Sequence, residues 1–179
     1  MTGAELFADL GIPSDYGREP QRPRFAEAVE LVDVEPNIVG VAQQLAPETA
    51  AAWHKMKQTA ALAGVQLLLV SGFRSVRHQA DLIRRKLAAG QAIDAILKVN
   101  AAPGFSEHHT GRAIDVATPG TRPLTAEFES SKAFVWLEAN AATFGFQMPY
   151  TRGNKFGFEY EPWHWSQQEG NPHGRSSRS

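Results

Sequence analysis

Residues 106–115 read SEHHTGRAID: two histidines and a glutamate, a turn at Gly111, then an alternating polar and apolar segment that runs on through residue 117 as RAIDVA. The alternation over residues 112–117 predicts a half-buried strand. The segment thus puts ionisable residues beside and within apolar strand sequence, and such groups are costly to bury without a partner. Two other segments share this character: residues 71–75 (SGFRS) and residues 161–165 (EPWHW), each a polar cluster against apolar strand sequence.

Working upstream, residues 65–71 (VQLLLVS) form an apolar run of strand length, expected to be buried. Before it, PETAAAWHKMKQTAALA favours a helix, with Pro47 in the first turn and Gly64 placed as its stop. A strand candidate covers residues 29–34. Residues 1–25, rich in Pro, Gly, Arg and Asp, read as an arm laid over the domain. After the 72–75 loop comes a helix to about Ala89, interrupted at Gly90 and resumed over QAIDAILKVN. Downstream, Ser130 or Ser131 is placed to cap a helix whose Phe134, Leu137, Ala141 and Phe144 share one face, with Gly145 ending it. The aromatic-rich residues 156–165 predict the last strand, and residues 169–179 a disordered tail. The order of elements predicts one α+β domain over residues 26–168, its small sheet mostly antiparallel.

The 179 residues suit a single core, and 42% hydrophobic with 21% charged residues is an ordinary globular balance. A net charge of −1, without a basic block, argues against nucleic acid as partner. With no cysteine, disulfides, thiolate metal sites and a cysteine nucleophile are excluded. No apolar run is long enough to span a bilayer, and the N-terminus does not read as a signal peptide. The expectation is a monomer, cytoplasmic unless an export signal has been removed, with its specificity held in one site.

A catalytic zinc needs about three histidine or carboxylate ligands and an open position for water. His108 and Asp115 are seven positions apart around the Gly111 turn, a spacing that can return both side chains to one point. His164 can supply a third ligand if the last strand pairs beside residues 112–117. Glu161, three positions earlier, reaches the same place only if Pro162 bends the chain.

These residues resemble the VanY-type D-alanyl-D-alanine carboxypeptidase family, related to VanX-type dipeptidases and to the Hedgehog-like fold. Its S-x-H-x-x-G-x-A-x-D signature is filled by Ser106, His108, Gly111, Ala113 and Asp115, and its E-x-W-H by Glu161, Trp163 and His164. Residues 71–75 match the upstream S-G-[FY]-R-S element, with Gln79 following. The resemblance covers roughly residues 65–166. It implies zinc as cofactor with His108, Asp115 and His164 as ligands, Glu161 as general base and Arg74 as oxyanion donor. It further implies that Ser106 and Gln79 contact the terminal residue of a peptidoglycan-type peptide. His109 falls off the motif and is expected to be exposed or to stand behind the ligands, while Trp163 and Trp165 are expected to pack. Two alternatives stay open: an endopeptidase acting inside the stem peptide, and a zinc-stabilised binding module without turnover. The presence of Glu161 and Arg74 favours the enzyme.

Overall fold

Strand β4 (Ala113–Ala117) is the centre of the molecule, and all five of its residues are buried. In the computed structural model, which describes residues 2–167, it pairs antiparallel with β3 (Leu68–Ser71) on one side and β6 (His164–Gln167) on the other. The short β5 (Phe146–Gln147) adds to β6, so the sheet order is β3-β4-β6-β5. A separate antiparallel ribbon joins β1 (Val32–Val34) to β2 (Gln43–Leu45). The fold is α+β, as expected, and every strand pair among the described residues is antiparallel.

Four of the helices follow their sequence signals closely. Helix α2 (Pro47–Leu62) starts on its proline and buries Trp53, Met56 and Ala60, at helical spacing, against the sheet. Ser75 caps α3 (Val76–Ala88) by accepting the His78 N–H, and α4 (Ile93–Val99) resumes after Gly90. Of the two capping candidates it is Ser131 that serves α5 (Lys132–Asn140), accepting the Phe134 N–H at 3.1 Å. Phe134, Leu137 and Ala141 are buried on one face, with Phe144 packed at its edge.

Four expectations are corrected. Residues 112–117 are not half-buried, because a strand with neighbours on both edges and covered faces has no solvent side. Ile114 and Val116 enter the main core, and Asp115 on the opposite face is only 4% exposed. The last strand begins at His164; before it, the Asn154 side chain accepts from the Phe156 N–H and donates to the Phe158 carbonyl, holding that stretch in turns. The candidate over 29–34 shortens to Val32–Val34, with Val29 fully exposed. The first 25 residues are more than a draped arm, for they open with helix α1 (Gly3–Asp9), capped reciprocally by Thr2 and Glu5. Phe7, Leu10 and Ile12 then join Ile83, Ile96 and Phe105 in a second apolar cluster. β2 and β5, three and two residues long, are too short to leave a periodic pattern.

Gly111 is where the backbone requires glycine. Its φ is +66°, and a Cβ there would lie 2.8 Å from the Ala46 nitrogen and 2.9 Å from Leu31. The expected tail, residues 169–179, lies outside the described residues. No described helix is long and apolar enough to cross a membrane.

Candidate metal centre

The sheet register brings two of the three expected ligands together, since Asp115 on β4 is directly opposite His164 on β6. Residues opposite one another in a ladder share a face. His108 arrives from the 3-10 turn Glu107–Thr110, which the Gly111 turn folds back onto β4. One ligand atom from each of His108, Asp115 and His164 lies within 4.8 Å of the others, and all three residues are buried.

Hydrogen bonds select which nitrogens face the centre. His108 Nδ1 is 2.7 Å from the Gly72 carbonyl and must donate to it, which leaves Nε2 as an acceptor, 3.3 Å from Asp115 Oδ2. His164 Nδ1 is 3.0 Å from Asp115 Oδ1, while Nε2 is 2.8 Å from Glu107 Oε2. Burial holds His108 below its ordinary pKa, so its ring is neutral and its lone pair available. Burial alone would lower His164 too, but the hydrogen bonds to Asp115 and Glu107 outweigh it and push His164 up to about 10. Burial alone would raise Asp115, yet His108 and His164 hold it well below the carboxylate range. Two imidazoles and an ionised carboxylate, converging in a buried spot, fit the borderline chemistry of zinc.

Glu161 reaches the same cleft because residues 161–164 form a turn in which the His164 N–H donates to the Glu161 carbonyl. Pro162 thus supplies the bend that the odd spacing demanded. Burial, then the charges of Asp115 and Glu107, push the Glu161 carboxyl up to about 7 against the pull of His164 and Arg74. The Arg74 guanidinium donates to Gln79 Oε1 and Ser71 Oγ, both at 3.0 Å, and stands 3.9 Å from Asp115 Oδ2. Gln79 is fully buried and also donates to the Ala101 carbonyl at 2.7 Å, so its amide engages Arg74 and the backbone. Ser106 lines the cleft and makes no capping bond to the turn it precedes.

The cleft has a volume of about 540 Å³ and takes in the three ligand residues, Arg74, Ser106 and Glu161. A larger groove of about 860 Å³ runs along residues 24–30 beyond Glu107 and holds none of the three ligand residues. The candidate ligands line the smaller one.

His109 is fully buried, not exposed. Its Nδ1 is 2.6 Å from the Arg74 carbonyl and its Nε2 accepts the Gly104 N–H at 3.0 Å, so it staples two loops behind the site. Trp165 packs in the core and Trp163 at its edge, where it also lines the cleft. Sequence reasoning missed two residues. Glu107, which holds His164 Nε2, occupies a position that the motif leaves free. Tyr150 stacks on the His164 ring at 4.7 Å and 23°, and sits in an irregular stretch with no pattern to mark it.

Comparison with known proteins follows the same lines. The family model for VanY, D-alanyl-D-alanine carboxypeptidase, matches residues 42–169. YodJ of Bacillus subtilis is 33% identical over 120 residues, covering 65% of this chain and 44% of that protein. The chain spans less than half the length of the first curated relatives it matches. The LdcB LD-carboxypeptidase, whose structure addresses peptidoglycan recognition, superposes with a TM-score of 0.70 at 31% identity, covering 81% of this chain and 71% of that one. A variant of the vancomycin resistance D,D-pentapeptidase VanY from a VanB-type cassette, in complex with Zn(II), gives a TM-score of 0.63 at 25% identity, covering 82% and 83%.

Proposed function

Because the chain belongs to the VanY family of D-alanyl-D-alanine carboxypeptidases, we propose that it is a zinc-dependent peptidase that removes the C-terminal residue, D-alanine, from peptidoglycan stem peptides. The observation that carries the reading is the buried convergence of His108, Asp115 and His164 beside a Glu161 carboxyl pushed up to about 7. In this reading the three residues hold zinc through His108 Nε2, an Asp115 oxygen and His164 Nδ1, and the protein acts as a monomer.

Zinc held there supplies Lewis acidity, bringing the pKa of water down to about 7. Glu161 takes the proton from the attacking water, a task suited to a carboxylate whose pKa is near the working pH. It then returns that proton to the leaving amine. Arg74, fixed by Ser71 and Gln79, donates to the oxyanion that develops on the scissile carbonyl. Ser106, on the cleft wall, contacts the terminal residue of the peptide, and Gln79 aligns Arg74 against it.

Mass spectrometry of a stem-peptide panel (dipeptide, tetrapeptide, pentapeptide), each with a free or an amidated C-terminus, tests this. Loss of one C-terminal residue from free peptides, with amidated ones cut poorly, is the expected result. The panel also reads whether the bond cut is D,D or L,D, the latter being the activity of LdcB. Equal cleavage of free and amidated peptides means an endopeptidase. Binding without any cleavage by the zinc-loaded protein means a binding module.

A further inference from the structure

The family match begins at residue 42, yet residues before it pack behind both walls of the cleft. One wall is the 99–101 segment at the end of α4, and the other is the stretch 158–161. The walls meet where the Glu159 N–H donates to the Lys98 carbonyl at 2.9 Å. Directly behind this seam stand Tyr16 and Arg22.

The Arg22 guanidinium lies 4.6 Å from the centre of the Tyr16 ring and 4.9 Å from that of Phe158. Its Nε is buried without a hydrogen-bond partner, and among the described residues no ion pair engages the group. A cation set between two aromatic faces in this way is held by the rings. The fit is close: a Cβ on Gly157 would lie 2.8 Å from Pro20 and 3.2 Å from the Arg22 guanidinium.

From this pair, contacts run to both halves of the proposed machinery. Phe158 packs on Tyr150 at 5.0 Å, and Tyr150 stacks on His164. Tyr16 accepts the Ala102 N–H at 3.3 Å, and the neighbouring Ala101 carbonyl accepts from Gln79, which holds Arg74. We propose that Tyr16 and Arg22 form a brace fixing the spacing between the two cleft walls, so that Arg22 is a positioning residue for the peptide. The substrate side of this inference rests on the peptidase reading above; the mechanical side rests on the packing. It assigns the N-terminal arm, residues 1–25, a working role beside the domain at 26–168.

Two measurements on the zinc-loaded full chain test it. In Arg22→Ala, hydrogen exchange at the Glu159 and Ala102 amides should accelerate roughly tenfold, as expected when a stabilising pair of cation–π contacts is lost locally. Zinc content should stay unchanged. KM for the best peptide of the panel should rise about five- to tenfold with kcat within about twofold, the signature of lost binding and not of lost chemistry. Arg22→Lys, which keeps a cation over the rings, should recover most of both effects. Tyr16→Phe should accelerate exchange at Ala102 and spare Glu159, and it carries the test if Arg22→Ala fails to fold. Unchanged exchange at both amides overturns the brace. So does a variant in which KM, kcat and melting temperature all worsen and lysine does no better than alanine, since that marks general destabilisation. A wild type that cleaves no peptide overturns the peptidase reading alone, and exchange then decides the brace.

Discussion

Removing the Glu107 carboxylate asks how the metal centre is held. A metal taken by His164 Nδ1 needs a neutral ring, so the Nε2–H must donate to Glu107, 2.8 Å away. In Glu107→Ala that N–H is orphaned in a ring only 2% exposed. Orphaning costs about 1–3 kcal/mol, or roughly 5- to 150-fold in affinity. Partners that orient metal ligands elsewhere are worth about 10- to 100-fold, which agrees. A second effect opposes this one. Asp115 and Glu107 together push His164 up to about 10, so below that pH a proton competes with the metal. For the wild type, affinity therefore climbs close to tenfold per pH unit from this group alone, up to about 10. Without Glu107 the proton is held less tightly, and the climb levels off at a lower pH. The affinity deficit of the variant is thus smallest near about pH 6 and widens as pH rises, reaching the full intrinsic loss only above about pH 10. Zinc affinity by chelator competition at several pH values reads this directly. No deficit at the high end, or one that shrinks as pH rises, would refute the reasoning.

Elemental analysis should find about one zinc per chain. His108→Ala or His164→Ala should lose the metal, whereas His109→Ala should keep it while melting at lower temperature because two buried hydrogen bonds disappear. The outcome that sinks the ligand assignment is zinc lost from His109→Ala and kept by His108→Ala. Glu161→Gln should retain zinc and peptide affinity while kcat drops about 10²–10⁴-fold, and Arg74→Ala should cost about 10²–10³-fold. Near-wild-type turnover in Glu161→Gln would assign the base elsewhere. Gly111→Ala, forced into a left-handed conformation against the Ala46 backbone, should lose at least about 1–3 kcal/mol in denaturant titration. An unchanged midpoint would show that the turn relaxes freely.

Apart from α1, the helices were readable from sequence because their signals are local. Pro47 and Ser131 mark starts, Gly64 and Gly145 mark stops, and Phe134, Leu137 and Ala141 mark a buried face within a few residues of each other. The candidate ligands could be picked out for a different reason: a metal site constrains residue types at fixed offsets, and His108, Gly111 and Asp115 have such a spacing, which the fold gathers with His164 into one buried group. What failed was anything decided by distant neighbours. The burial of β4 on both faces depends on β3 and β6, strands more than 40 positions away on either side, and the alternation RAIDVA cannot report that. Residues 156–163 are rich in aromatics, yet Asn154 fastens them into turns through its own side chain. Glu107 and Tyr150 act on His164, 57 and 14 positions away, through contacts that no local pattern encodes.

The complete burial of β4 divides the site into two materials. Asp115 and His164 stand on paired strands in the middle of the sheet, where any change of volume disturbs the core. The cleft lips come from elsewhere: residues 99–101 at the end of α4, Leu124 and Ala126 at the entry to a 3-10 turn, Glu159 and Tyr160 on a loop. Mutational drift is therefore cheap at the lips and costly at the metal. A library randomised at Val99, Leu124, Glu159 and Tyr160 should yield altered peptide preferences at high frequency, and nearly all of its folded members should still load zinc. Such a scaffold allows the rim of the cup to be redecorated while its floor stays the same.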